Sequence, residues 1–437
     1  MSEMYKLLLK QGVGKPAIPC VKAGESVKRG HCIATADGLG ADLHASVAGT
    51  VIQVTDEAIF IRGEKSENSE FETIPPGNIG ERVRSAGIVG MGGAGFPTWI
   101  KLAQKIPGGT VIANAAECEP ILAHNIAEIE RGPNEIYKGL LYAMESVDAA
   151  HGVIAVKAKH KKAIARLKTI IQDDRVSVFQ LEDRYPVGEK RALIRDVLGV
   201  LLAPDERTVH ANAIVLNSET LSRVSQAVEL GRPVLSKNLT IAGKLRRGPK
   251  SVTLMDVPIG TRIGDLIESV GGMDRDYGEV ITGGPFMSQR VTLDDVVTKT
   301  TGAMIVTMPF LKAKAPLGLL VCACSASEAR MKEIADQMGA DVAASERCKH
   351  AVEVHGVLRC RNPGICPGQA DRVLRLKKAG AQALLIGNCS DCSNTVMALA
   401  PKLNLPVHHV TDSALRAMNL PLVRKLRNHE VNFKSRM

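Results

Sequence analysis

The chain has 437 residues, 45% apolar and 23% charged, with no stretch approaching the roughly 20 apolar residues of a membrane-spanning helix, so it reads as a soluble globular protein of about two to four domains. Aromatic residues make up only 3%, which argues against a protein that reads nucleic acid by base stacking. The formal charge of +10 favours acidic partners such as nucleotides or an acidic protein surface.

The N-terminal MSEMYKLLLKQGVG holds no apolar run suited to a signal peptide, so a cytoplasmic setting is expected. In that setting clustered cysteines point to metal or redox chemistry more than to disulfides. Of ten cysteines, Cys20, Cys32 and Cys118 are scattered and seven fall between Cys322 and Cys392. Residues 1–65 read as short β-branched strands broken by Gly pairs and Asp-Gly. The stretch GESVKRGHCIATADGLGADLHASVAGTVIQV resembles the lipoyl and biotinyl carriers, a barrel-sandwich hybrid. The hairpin tip, GLGADLHAS, lacks their modified Lys, so an unmodified barrel is expected.

Residues 66–80 look like a linker, and an α/β unit follows over about 81–235. There SAGIVGM is read as a strand, PTWIKLAQK as a helix, TVIANAAE as a strand and NEIYKGLLYAMESV as an amphipathic helix. GVIAVKA, KHKKAIARLKTII and VSVFQLE continue the strand–helix–strand alternation, which implies a parallel sheet. The basic run 157–168 is best taken as a solvated helix face. Residues 251–307 read as a small β-grasp-like unit with a helix starting near Ile263, and KAKAP (312–316) as a second linker.

The C-terminal part, 317–437, is α/β again and contains an internal echo. LGLLV runs into Cys322-Ala-Cys324-Ser325, a helix from about Glu328 and the strand DVAAS. ALLIG runs into Asn388-Cys389-Ser390-Asp391-Cys392, a helix from about Ser393 and the strand VHHV. The tail VRKLRNHEVNFKSRM is basic and is a candidate for docking on an acidic partner.

Two features carry chemistry. Gly90-Met91-Gly92-Gly93-Ala94-Gly95 satisfies G-x-G-x-x-G between an expected strand and helix, and Glu117 lies where a dinucleotide fold places its ribose-binding acid. Physically the loop implies a phosphate-bearing ligand, since glycines allow close backbone approach and a helix N-terminus favours an anion. Cys322, Cys324, Cys389 and Cys392 sit past expected strands and before expected helices, at one sheet edge, and Cys360 and Cys366 sit in a further strand-to-helix loop, LRCRNPGICPGQ. Three readings stay open for them: a redox dithiol formed by Cys389 and Cys392, a zinc or iron–sulfur site, or inert buried thiols. Arg359 and Arg361 flank Cys360 and would favour its thiolate, and His408 and His409 stand near the same edge.

GMGGAGFPT (90–98) followed by Lys101 resembles the flavin loop shared by the NADH-binding 51-kDa subunit of respiratory complex I and the C subunit of Rnf complexes. NAAECEP (114–120), YPVGEKRALI (185–194) and LNSET (216–220) resemble further segments of that flavin domain, and VPIGTRIGDLIESVGG with VITGGPFMSQ resembles its ligand-binding β-grasp (SLBB) segment. The resemblance covers about residues 1–310. It implies a multidomain α/β protein with an N-terminal barrel-sandwich hybrid (1–65), a complex I 51-kDa-like FMN-binding domain (81–235) and an SLBB-like domain (251–307), to which the residue pattern adds a Cys-rich α/β domain (317–437). By the same resemblance Gly90, Gly92, Gly93, Gly95 and Lys101 would hold the flavin phosphate, and Asn114, Glu117 and Glu119 the flavin or its ribityl chain. Asn217 and Thr220 match a fourth flavin segment, while Gly188 and the catalytic candidate Glu189 would line the side where nicotinamide enters. Glu117 would then serve a flavin rather than a ribose.

The Rnf protein and its cobalamin-reducing relatives continue into C-x2-C-x2-C-x3-C-P runs, and this chain has none. A shorter relative without those runs is the electron-transfer protein associated with D-proline reductase, which GNCSDCSNTVM (387–397) and the overall length resemble. The resulting expectation is an NADH-oxidising FMN protein that feeds D-proline reductase. The alternatives are a member of an Rnf-type complex, reached at the membrane through that partner, a cobalamin reductase-like protein, or a docking scaffold without flavin.

Overall fold

The computed structural model describes residues 4–64 and 70–424. The basic tail beyond residue 424 and the start of the 66–80 linker lie outside the described residues.

The N-terminal strands form two small antiparallel sheets. Met4–Leu8, Ala58–Gly63, Gly49–Val54 and Ser26–Val27 make one, and Ile18–Pro19, Cys32–Thr35 and Leu43–His44 the other. Leu7, Ile33, Val51, Ile59 and Ile61, all fully buried, fill the space between them. The polar hairpin tip folds back on its own base, where the Lys15 N–H donates to Leu39 O at 3.0 Å.

The second unit is a wholly parallel sheet in the order Val176–Leu181, His151–Lys157, Thr110–Ala115, Ala213–Asn217. Its centre strand, TVIANA, is apolar on both faces because helices cover both, as a parallel sheet requires. The helix Asn134–Val147 buries Ile136, Leu140, Ala143, Met144 and Val147, the stripe that its 3.6-residue period calls for. In chain order the strands run 3-2-1-4. The sheet therefore grows one way from its first strand and then reverses, leaving a crevice between Thr110–Ala115 and Ala213–Asn217.

Two expectations fail locally. SAGIVGM does not form a strand; it contributes one bridge, Val89 to Pro97. The helix after the glycine loop spans only Thr98–Leu102, with no side-chain cap, so it supplies little dipole. Pro97 sits at its N-cap instead of inside the first turn.

The third sheet orders Ser251–Pro258, Ser236–Gly243, Ala303–Val306, Val280–Thr282 and Gln289–Val291, with only the Ser236–Gly243 and Ala303–Val306 pair parallel. Helix Ile263–Ser269 starts where the sequence indicates and packs Ile263, Leu266 and Ile267 on this sheet.

The fourth sheet is parallel again: Val342–Arg347, Leu317–Val321, Ala383–Ile386, Val407–His409. The echo of strand, cysteines, helix and strand is thus real topology. Its chain order is 2-1-3-4, so a second reversal falls between Leu317–Val321 and Ala383–Ile386. A hairpin, Ala351–Val354 with Val357–Cys360, projects from this unit. Among the described residues no helix is long and apolar enough to cross a membrane.

Candidate functional site

At the first reversal the two strands that flank the crevice bring asparagines into register at their C-terminal ends, Asn114 opposite Asn217. Asn217 caps helix Ser218–Leu230 by accepting the N–H groups of Glu219 (3.0 Å) and Thr220 (3.4 Å). Asn114 accepts the Ala116 N–H at 3.2 Å and donates to Gly188 O at 2.9 Å, which ties strand end to the YPVGEK segment. Glu189 caps helix Lys190–Leu198 through the N–H groups of Arg191 (2.9 Å) and Ala192 (3.1 Å).

The glycine loop lies against this edge. Thr220 Oγ1 accepts the Met91 N–H at 3.0 Å, and a Cβ on Gly92 would meet Asn217 at 3.1 Å. Gly93 has φ +106° and faces open space, while Gly95 (φ +62°) is pressed on Gly12 of the barrel, whose Val13 N–H donates to Gly95 O at 2.9 Å. Gly90 closes the turn by donating to Phe96 O at 2.8 Å. The cradle is therefore built of backbone, and most of its helix-terminus character comes from Ser218–Leu230, not from the short helix that follows the loop.

Lys101 is half-buried below this edge and donates to Val215 O at 2.9 Å. Burial, and then the neighbouring Lys190, bring its ammonium down to about 8. Lys190 is lowered likewise by burial and by Arg359 from the C-terminal hairpin. Closely set cations that depress one another suit an anionic group, and together with the glycine cradle they fit the phosphate of a flavin nucleotide.

The NAAECEP segment and the residue after it are strained: Glu117 has φ +39° and Ile121, a β-branched residue, φ +83°. Glu117 accepts the Asn125 N–H at 2.9 Å, and burial raises its carboxyl to about 7. Glu119 is raised to about 8 by burial, and its two oxygens accept the Phe286 and Met287 N–H groups, each at 2.8 Å. Glu119 thus clasps the Gly-Gly-Pro turn of the third sheet, with a Cβ on Gly284 only 2.6 Å from its Cγ. Gly188 is needed for close approach, since a Cβ there would meet that of Cys118 at 3.0 Å.

The second reversal carries the thiols. Cys322, Cys324, Cys348, Cys360, Cys389 and Cys392 are buried in one cluster with Tyr185 and Phe286, and Cys118 and Cys366 pack at its margin. Contacts run from Cys360 to Cys324, Cys322, Cys348 and Cys392, and from Cys392 to Cys366 and Cys389. Cys389 and Cys392, the expected dithiol, are therefore two of seven. Helix Ser390–Leu399 starts three residues earlier than expected, which makes Cys389 its N-cap and puts Cys392 in its first turn. Cys348 thiol acidity is raised by contacts with Cys322 and Cys392, and that of Cys366, held at about 7, chiefly by contact with Cys392. Among the described residues no three His, Cys, Asp or Glu side chains converge as they would around one metal ion.

Cys348, Gln369 and Arg191 escape sequence reasoning. Cys348 has no cysteine within ten residues; only its place after the strand of DVAAS signals the shared edge. Gln369 donates to Cys348 Sγ at 3.0 Å and Cys392 Sγ at 3.6 Å. Arg191, 2% exposed, donates to Cys360 O, so the charge reaching Cys360 comes from the flavin-type unit rather than from Arg359 and Arg361 alone. His409 spends both ring nitrogens on Asn388 O and Thr411 Oγ1, each at 2.9 Å, and is a packing residue.

Tyr185 and Phe286 join the two sites. Their rings stack with centroids 3.7 Å apart and 5° between planes, and Phe286 meets His409 edge-on at 5.4 Å. Tyr185 Oη donates to Cys324 O at 2.6 Å, and its backbone exchanges hydrogen bonds with Ser390.

Residues 83–226 match the Nuo51 FMN-binding domain family and residues 1–69 the RnfC barrel sandwich hybrid domain family. The C subunit of the Na(+)-translocating ferredoxin:NAD(+) oxidoreductase complex of Acetobacterium woodii is 31% identical over 346 residues, 73% of this chain and 77% of that one. The cobalamin reductase PduS of Salmonella typhimurium is 37% identical over 55% of this chain and 52% of its own length. The C subunit of the proton-translocating ferredoxin:NAD(+) oxidoreductase complex of Clostridium ljungdahlii is 32% identical over 64% of this chain and 65% of its own length. Thus the chain spans little more than half of the cobalamin reductase and just under two thirds of the Clostridium protein. Among solved structures, an NAD+-reducing NiFe hydrogenase in the H2-reduced state matches at 22% identity over 52% of this chain and 46% of that one, with a TM-score of 0.43, too slight to carry weight. On its flavin-domain and barrel matches and its likeness to the Acetobacterium protein, the chain belongs to the family of the C subunits of Rnf-type ferredoxin:NAD(+) oxidoreductase complexes.

Proposed function

We propose that the chain is an electron-transfer subunit that holds FMN at the first sheet reversal, takes electrons there from NADH and passes them toward the thiol pocket at the second. The observation that carries this is the meeting of the glycine cradle, Asn114 and Asn217 at one edge, with the Tyr185–Phe286 stack between that edge and the thiols. Bound FMN would supply the conversion between a two-electron hydride and single electrons. The protein's own residues position it. Gly93 opens on the space given to phosphate, Gly90, Gly92 and Gly95 let the loop pack closely enough to form the cradle, and Lys101 and Lys190 are the counter-charges. Asn114, Asn217 and Thr220 brace the edge, and Gly188 with Glu189 borders the side given to nicotinamide.

Residues 251–307 are taken as an SLBB-like β-grasp unit. The Cys-rich α/β unit is taken to replace the missing ferredoxin-type runs. The favoured partner is an Rnf-type complex or a cobalamin-reducing system, because the relatives carry those names. D-proline reductase, suggested by residues 387–397 and overall length, gains no support from them. The protein would work in the cytoplasm, reaching a membrane only through its partner.

Purification without reductant, followed by a visible spectrum and identification of the released cofactor, tests the reading. A flavin band bleached by NADH and not by NADPH is expected. A colourless chain that cannot be reconstituted with FMN rules it out.

A further inference from the structure

We propose that the thiol pocket is the ligand set of an iron–sulfur cluster, held by Cys322, Cys348, Cys389 and Cys392. The proposal builds on the electron-transfer reading above. Three adjacent parallel strands each release a cysteine just past their C-terminal ends: Cys348 after Val342–Arg347, Cys322 after Leu317–Val321 and Cys389 after Ala383–Ile386. Cys392 joins them from the first turn of Ser390–Leu399. Backbone pairing fixes the neighbours, since the Cys348 N–H donates to Val321 O at 2.8 Å and the Gly387 N–H to Leu320 O at 3.2 Å. All four thiols are at most 3% exposed, and direct contacts link Cys322 to Cys348, Cys348 to Cys392 and Cys392 to Cys389.

This set is a row, not a ring about a point. Zinc draws four ligands to about 2.3 Å from one centre, whereas an iron–sulfur cluster shares its thiolates out over two or more irons bridged by sulfide. A row of buried thiols along a sheet edge suits the second geometry.

The walls of the pocket point the same way, independently of the thiols. Asn388 is fully buried, and both its amide atoms lack a hydrogen-bond partner among the described residues. Gln369, 1% exposed, aims its amide N–H groups at Cys348 and Cys392. Arg191, which reaches the neighbouring Cys360, is 2% exposed, and among the described residues its Nη1 has no partner and only Glu189, itself mostly covered, lies within ion-pair reach at 3.5 Å. Buried donors and a buried cation are costly in an apolar pocket unless an anion with acceptor atoms faces them. Thiolates with bridging sulfides are such an anion, and hydrogen bonds to their sulfurs tune cluster potentials. Cys324, Cys360 and Cys366 are left out of the set: Cys324 touches Cys322 but also pairs with Cys360 under Tyr185, and Cys366, which touches Cys392, is only partly buried and meets Thr395 Oγ1 at 3.1 Å.

The full chain, produced and purified without oxygen, is assayed for iron, acid-labile sulfide and an EPR signal after dithionite, with FMN content read in parallel. At least about two irons and two sulfides per chain are expected. Cys348→Ser and Cys392→Ser should lose more than about nine-tenths of the iron, while Cys366→Ser and Cys20→Ser keep it and all four keep FMN. Should Cys348→Ser also lose FMN, Gln369→Leu, which spares every thiol, decides by a changed EPR signal at unchanged iron content. Absence of iron and sulfide after reconstitution with ferrous iron and sulfide, zinc in their place, an unchanged Gln369→Leu signal, or equal loss in Cys366→Ser overturns the assignment. A chain with FMN and no cluster fails this inference alone; a chain with a cluster and no FMN fails the proposed function alone.

Discussion

The molecule uses one architectural device twice and equips it with opposite chemistry. Both parallel sheets reverse their winding direction, and both place their candidate chemistry at that reversal, where strand ends diverge and leave a crevice. In the first sheet the crevice is lined by glycine backbone and two asparagines, Asn217 capping a helix and Asn114 tying its strand end to Gly188. In the second it is lined by thiols. A backbone cradle suits a diffusible nucleotide, since its donors are fixed and need no side-chain ordering. A thiol crevice suits something held permanently. Tyr185 and Arg191, both from the unit of the first parallel sheet, reach into that of the second parallel sheet, so the two crevices are built against each other.

The largest effect is expected from breaking the first crevice alone. Gly93 sits at φ +106°, which a β-branched residue adopts only under strain. Gly93→Val should weaken FMN binding by more than about 100-fold, measured by equilibrium dialysis, while the thiol pocket keeps its content.

Next comes the joint. Arg191→Met removes a buried guanidinium that donates to Cys360 O and should cost about 2–3 kcal/mol in denaturant unfolding. Flavin affinity should change by less than about threefold, because the cradle residues are elsewhere. A large loss of flavin would mean that the two crevices are not separable.

A smaller effect should appear with pH. Burial raises Glu117 to about 7 and Glu119 to about 8, so the folded chain keeps protons that the unfolded chain releases above about 4.5. Their contribution to stability is complete below that value and is lost as pH rises through 7 and 8. Thermal melts of the flavin-free chain should therefore fall between about pH 5 and pH 8. Glu117→Gln, which keeps an acceptor for the Asn125 N–H, should flatten that fall and gain roughly 2 kcal/mol at pH 8. A slope unaltered by the substitution would place the lost protons elsewhere.

The smallest effect belongs to the basic run at and just before helix Lys161–Ile170. Lys159 and Lys162 form exposed ion pairs with Asp183 and Glu130, so their replacement by Gln should shift stability by less than about 0.5 kcal/mol and leave NADH oxidation unchanged.

Legibility differed between the two crevices for a physical reason. The flavin-type edge was readable because glycine and proline act locally: GMGGAGFPT, NAAECEP and YPVGEK each constrain their own backbone. Periodicity likewise gave Asn134–Val147 and the alternating strands. The failures there were boundary effects, since Ile88–Met91 pair with nothing long enough to form a strand and tertiary packing ends the next helix at Leu102. Glu119 carried no signal that its carboxylate would be taken by a turn 167 residues on. In the thiol crevice, Cys322 and Cys389 were visible from the strand–helix echo. Cys348, Gln369 and Arg191 were not, because they arrive from separate elements and only the sheet order brings them together.

The central claim is that electrons entering at the first crevice reach the second. Anaerobic titration of the oxidised chain with NADH tests it most directly, by counting equivalents consumed before the flavin band stays bleached. FMN alone accepts one hydride, so about one NADH per flavin is expected if the crevices do not communicate. The account predicts clearly more than one, about 1.5 for a one-electron acceptor in the pocket, falling to about one in Cys348→Ser. An end point of one NADH per flavin in the unaltered chain, with its pocket intact, would contradict it.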